Sequence, residues 1–313
     1  MTGLRKLERD FVSADLAAVT GLLAQLGDED VMARMGLESR RDELQQTIAH
    51  LDEAGIEPAA SAALFFGGGP VVGSRGIESE FAGSAISKFQ DIVAKVLARE
   101  SGGLGQRGVV PNKAASTLHI TNIVRGSFGF LLEEVSPQPS LMETSLKTAM
   151  DETSRLLRAL GEPDEEQFRT VAETIDQRTL GTAREFFELM RQSGATLRLV
   201  AGDTDRSFGA EAVARAAERA TSTTVEDGEE TIRGQLAGVL PDAHQFEFRA
   251  GPDRGTIRGK VNRAFTADQL AHFNRQWVNV DAAARVNVKR VRRSGAVFRE
   301  NFTLLALSAP EAA

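Results

Sequence analysis

Apolar residues recur three and four apart over the first part of the chain and at every second position near its end, so the two ends predict different architectures. Over residues 14–26, Leu16, Val19, Leu22, Leu23 and Leu26 make one helical face behind Ser13 as the expected cap. A second helix is predicted over about 39–54. Ser39 and Asp42 have capping-box-like spacing there, Leu44, Ile48 and Leu51 form the stripe, and Gly55 ends it.

The texture changes near residue 60. Ala62 to Phe66 reads as a strand, GGGP (67–70) as a turn and Val71-Val72 as a returning strand. Ile77, Phe81, Ala85, Phe89, Ile92, Val93 and Val96 then mark an amphipathic helix, followed by the Gly-rich loop 101–108. Alternation returns in Leu118, Ile120, Phe128, Phe130 and Leu132 around Arg125-Gly126-Ser127, which reads as a second hairpin. Another helix is predicted from a Ser140–Glu143 capping box, with Met142, Leu146, Met150, Leu157 and Leu160 as its stripe. Residues 60–160 thus read hairpin, helix, hairpin, helix, an order that suggests an internal duplication. Helices at about 164–175 and 182–193 follow, the second with Thr182 and Glu185 as capping box. A strand at 195–201 and an Ala-rich helix at 208–220 complete the body.

Residues 222–230 (STTVEDGEE) are polar and acidic and read as a connector. Beyond them the pattern is nearly all β, with strands expected at 231–240, 244–250, 255–261, 283–292 and 296–307. A short helix capped by Thr266 and containing Leu270 and Phe273 lies between the third and fourth. Three strands, a helix and two strands is the order of an OB-fold, although an SH3-like barrel gives a similar string. The expected fold class is α+β: an N-terminal helical segment (1–58), an αβ body (59–221), the connector (222–230) and a small OB-like or SH3-like β-barrel (231–313).

Composition narrows the chemistry. The chain has no cysteine, which excludes disulfides, thiolate metal sites and thiol nucleophiles, and it has no tyrosine. Its four histidines, His50, His119, His244 and His272, lie far apart in sequence, so no metal and no cofactor is expected. No apolar run approaches the roughly 18 residues of a membrane helix. The opening MTGLRKLERD carries five charges with no apolar block after it, so the expectation is a cytoplasmic protein without a secretory signal or membrane contact.

Net charge is −7 but uneven. Residues 229–313 hold 13 Lys and Arg against 9 Asp and Glu, and residues 1–228 hold 24 against 35. A basic module on an acidic body is therefore expected. The basic residues Arg285, Lys289, Arg290, Arg292 and Arg293 cluster, with Arg299 beyond the Ser294-Gly295 turn. Such a row could follow phosphates along a strand, and a charged edge strand could equally serve only against aggregation.

Two further stretches carry candidate chemistry. Ser74, Arg75 and Gly76 in the loop FFGGGPVVGSRG could hold a phosphate at a helix start, but the loop lacks the P-loop ending and its glycines are explained by a turn. Arg125 and Ser127 could form a turn site near His119, but a G-x-S-x-G elbow is absent. No catalytic residue is assigned, which leans away from an enzyme. The leading expectation is a non-catalytic binding protein whose barrel takes an anionic ligand, single-stranded nucleic acid or a nucleotide. The alternatives are a protein-interaction or scaffold subunit of a stress or defence assembly, in which the chain meets a protein partner or forms a homo-oligomer, and an enzyme with a phosphate-binding loop at 65–76.

Overall fold

The structure is a computed structural model that describes residues 3–27, 30–53, 58–105, 107–124, 128–136, 142–202, 204–251 and 254–310. It is mixed α and β and divides into two compact units. One comprises residues 1–165 and 181–220, the other residues 166–180 and 221–313.

The first unit is built on an antiparallel sheet. Its strands are β1 (Ser61–Gly68), β4 (His119–Val124), β5 (Phe128–Glu133), β6 (Ala195–Ala201) and β7 (Thr204–Phe208), in the order β4-β5-β1-β6-β7. The continuous apolar run Ala62–Phe66 places β1 at the centre, buried on both faces. On one face Phe66 meets Phe81 of α3 (Ser79–Glu100) edge-to-face at 5.4 Å and Phe130 of β5 at 6.2 Å. On the other, Ala63, Phe65 and Val200 receive Leu7 from the base of α1 (Gly3–Gln25). Helix α2 (Val31–Glu53) packs back along α1.

Several sequence expectations are corrected here. Val71-Val72 does not return along β1. It forms β2 and pairs with β3 (Gly76–Ile77) in a separate two-stranded ribbon, while β1 pairs with β5 and β6. The only expected hairpin that forms is β4 with β5, and both strands join one sheet, so the duplicated hairpin-helix arrangement is not what the chain builds. Both N-terminal helices begin about a turn or more before their expected caps, leaving Ser13 and Ser39 inside helices. Residue Ser140 lies outside the described residues. Helix α4 (Ser145–Gly161) is capped by Thr144, whose hydroxyl accepts from the Lys147 N–H at 3.1 Å and donates to Glu134. Thr182 lies inside α6 (Gln177–Gln192), whose first turn is held instead by Asp176 accepting from the Thr179 N–H at 2.9 Å.

The C-terminal end of α4 is closed by a long-range side chain. Arg219 of α7 (Ala210–Ser222) is buried, and its Nη1 donates to the carbonyls of Ala159 at 2.7 Å and Glu162 at 2.8 Å. Its Nη2 pairs with Glu165 at 3.0 Å. A helix end leaves carbonyls without intrahelical partners, and a guanidinium supplies the fork of donors that satisfies them.

The second unit is a closed barrel of β8 (Thr223–Leu240), β9 (Gln245–Arg249), β10 (Thr256–Val261), β11 (Asp281–Arg293) and β12 (Ala296–Ser308), in the order β10-β12-β11-β8-β9. The pair β10 and β12 is parallel and the other neighbours are antiparallel. Helix α8 (Ala267–Trp277) lies between β10 and β11 in the chain and carries the expected Thr266–Gln269 capping box. Its Leu270 joins Leu236, Phe248, Val286 and Leu304 in the barrel core. The stretch 222–230 is not a connector: from Thr223 it is the first part of β8 and pairs with β11 over its whole length. Helix α5 (Glu165–Ala172) is anchored to the barrel by Phe168, whose ring lies 6.1 Å from Phe298. No helix among the described residues is long and apolar enough to cross a membrane.

Replacing Arg219 with Met keeps the bulk but removes the donors to the carbonyls at the end of α4 and the ion pair with Glu165. It should cost about 2–4 kcal/mol in urea unfolding followed by far-UV circular dichroism, whereas an exposed change such as Arg191→Met should cost under about 1 kcal/mol.

Candidate anionic-ligand groove on the barrel

Strand alternation sorts the barrel residues into an apolar interior and a polar exterior. On β9 and β10, Phe246, Phe248, Ile257 and Val261 are buried, which turns Gln245, Glu247, Arg258 and Lys260 outward. On β11 and β12, burial of Val286, Val288, Phe302 and Leu304 turns Asn287, Lys289, Arg299, Asn301 and Thr303 outward. These outward residues, with Glu173, Thr174 and the end of β8 from Ala237 to Leu240, line one groove of about 730 Å³. Its volume lies within the range of ordinary ligand sites.

Four cations face this groove. Arg258 pairs with Glu247 at 3.1 Å across the β9–β10 ladder. Arg299 pairs with Glu173 at 2.5 Å, and the Lys289 ammonium donates to the Glu173 carbonyl at 2.8 Å. Lys260 has no carboxylate partner among the described residues. The aromatic residues lining the groove, Phe246 and Phe302, are buried, so neither presents a ring face outward. Phe298 is engaged by Phe168 and lies under the Arg169 guanidinium at 5.0 Å.

The basic cluster expected from sequence is divided by its neighbours. The acidic start of β8 lies directly against basic β11, so most of the row meets carboxylates of the same unit. Arg290 bonds Glu230 and lies 2.6 Å from Glu300. Arg292 pairs with Glu226 at 3.2 Å, and Arg285 stands 3.7 Å from Glu229. Arg293 closes β11 before the Ser294-Gly295 turn, in which both residues have positive φ. Only Lys289 and Arg299 of the six reach the groove. Arg258 and Lys260, absent from the sequence-based set, reach it from β10. Their signal was present as the alternation Ile257, Arg258, Gly259, Lys260, Val261, which places both on the outer face. The charge asymmetry also fades at the structural boundary. Residues 166–180 and 221–313 together hold 15 Lys and Arg against 14 Asp and Glu.

Ser74 and Arg75 sit in the exposed turn between β2 and β3, where the Arg75 N–H donates to the Val72 carbonyl at 3.0 Å, and Gly76 opens β3 opposite Val72. The glycines before them are explained by packing. A Cβ on Gly68 would stand 2.2 Å from the Gly194 carbonyl oxygen, and one on Gly69 would stand 2.4 Å from that of Ser193. The loop backbone is pressed against the turn after α6, and the Gly69 N–H is spent on the Gly194 carbonyl at 3.0 Å. Arg125 and Ser127 lie outside the described residues, and His119 is exposed at the start of β4. Among the adjacent carboxylates, Glu134 accepts from the Ala60 N–H at 2.9 Å and from the Thr144 hydroxyl at 2.6 Å. Among the described residues no three His, Asp or Glu side chains gather as a metal site.

No protein-family model, curated protein or solved structure matches this chain.

Hydrogen bonds from Arg290 and Arg254 hold the Glu230 carboxyl down at about 2, against an ordinary value of 4.5. A lowered carboxyl pKa stabilises the fold above the ordinary value and loses that contribution as pH falls toward the folded one. Glu230→Gln should therefore lower the thermal midpoint of the barrel at neutral pH. Melts across an acid series should show the gap from wild type closing between pH 4.5 and about 2. A gap that stays constant over that window would mean the carboxylate charge is not the cause.

Proposed function

We propose that the barrel is a binding module for an anionic chain, namely the sugar-phosphate backbone of single-stranded nucleic acid, held in the groove by Arg258, Lys260, Lys289 and Arg299. The observation that carries this reading is the groove itself. It crosses the outer faces of β9, β10, β12 and β11 and gathers four cations with the amides of Gln245, Asn287 and Asn301. The strand order, with a helix between the third and fourth barrel strands, supports an OB-like assignment. In OB-folds the face of the second and third strands takes oligonucleotides or oligosaccharides, and here those strands are β9 and β10. Fixed cations along a strand would release counterions from a polyanion, which favours a phosphate chain over a neutral sugar.

Because the groove's phenyl rings are buried, the expected mode is backbone recognition with little base stacking. Affinity should thus be similar for oligo-dT and oligo-dA of equal length. In fluorescence anisotropy with the full chain, Arg258→Ala with Lys260→Ala should weaken binding of both. The double substitution should also flatten the slope of log affinity against log salt by about 1.4, or about 0.7 for each lost phosphate contact on a single strand. Arg292→Ala, outside the groove, should leave the slope as it is. Absence of binding at low salt, or an unchanged slope in the double variant, would sink the reading.

A further inference from the structure

We propose that Glu173 is a built-in competitor for this groove, occupying two of its four cations until an anionic ligand displaces its carboxylate. The inference rests on the groove being the ligand site. Glu173 is the first residue after α5, and its two oxygen-bearing groups serve different cations. The backbone carbonyl accepts from Lys289 at 2.8 Å, and the carboxylate meets Arg299 at 2.5 Å.

The position of Glu173 is fixed from both sides by contacts that leave the groove alone. Before it, Phe168 is fully buried against Phe298, and Arg169 lies over the same ring. After it, the Gln177 side-chain carbonyl accepts from the Val225 N–H of β8 at 2.7 Å. The short segment between these anchors carries Glu173 and Thr174 into the groove lining. The carboxylate does not serve α5, since a negative charge at a helix C-terminus opposes the dipole. Lys289 supplies the positive charge that the helix end prefers, and Arg299 offsets the carboxylate.

The two contacts differ in how readily they yield. The Lys289 bond belongs to the backbone and holds the loop in place. The Arg299–Glu173 pair has side chains 52% and 34% exposed, and an ion pair so open to water is weak. A phosphate can take the guanidinium in a bidentate grip, which a carboxylate rotating about its own side-chain bonds vacates without moving α5. Ligand and Glu173 would then exclude each other at Arg299, and measured affinity would be lower than the cations alone could give.

The test is anisotropy of a labelled oligo-dT against the full chain at low salt, with Glu173→Gln and Glu226→Gln compared. Both variants remove one negative charge, but Glu226 faces Arg292 outside the groove. Glu173→Gln should tighten binding about three- to fivefold, the scale of one exposed ion pair, with Glu226→Gln within about 1.5-fold of wild type. Equal tightening by both would assign the effect to net charge and overturn the proposal, as would a wild type that binds with no gain in Glu173→Gln. Failure of both wild type and Glu173→Gln to bind would instead overturn the nucleic-acid reading of the groove, and this inference with it. If Glu173→Gln melts early, Glu173→Asp replaces it. That variant keeps the charge, shortens the reach to Arg299, and should give the same tightening.

Discussion

The pairing of β8 with β11 organises the barrel unit. Thirteen consecutive residue pairs join Thr223–Gln235 to Asp281–Arg293, and the acidic half of one strand lies along the basic half of the other. Hydrogen bonding fixes the register, and charge selects it. A slip of one residue would turn Val286 and Val288 outward and carry Asn287 and Lys289 toward the core. Arg290, held between Glu230 and Glu300 and half-buried, adds to the cost of such a slip, because a displaced guanidinium would break both ion pairs and leave Glu230 to Arg254.

This pairing also decides which cations remain for anything outside the protein. By drawing Arg285, Arg290 and Arg292 toward β8, the acidic strand removes the most conspicuous part of the basic cluster from contention. What is left open to an anion lies on the neighbouring strands, where Arg258 and Lys260 alternate with apolar residues. The groove is therefore a by-product of strand parity as much as of charge, and it is polar without being strongly positive.

Legibility in the sequence followed burial. The strands β9, β10, β11 and β12 alternate between a packed interior and water, and their periods of two placed them within a residue or two. The first half of β8 resisted reading because Glu226 to Glu229 is exposed, so no apolar period marks it; only the partner strand explains its conformation. The edge strand β7 failed for a similar reason, since Asp205, Arg206 and Ser207 are kept out of the core and Asp205 pairs instead with Arg198. The ribbon of β2 and β3 is too short to carry a period, and its partner lies only a few residues away. For the site, a cluster of like charge in sequence was a poor guide, because the opposing charges sit some 60 residues earlier in the chain and are invisible without the register.

The barrel unit is discontinuous in sequence: residues 166–180 belong to it, and residues 181–220 do not. During synthesis, the arm bearing Phe168 and Glu173 leaves the ribosome well before the strands it docks on, and 116 positions separate Glu173 from Lys289. Closing so long a loop is entropically slow, so the arm should settle last, on a barrel already formed. A fragment beginning at the first barrel strand would lack it altogether, leaving the Phe298 ring without its cover and Lys289 and Arg299 without Glu173. The natural unit of dissection is thus the whole chain, although the barrel reads as a separate module.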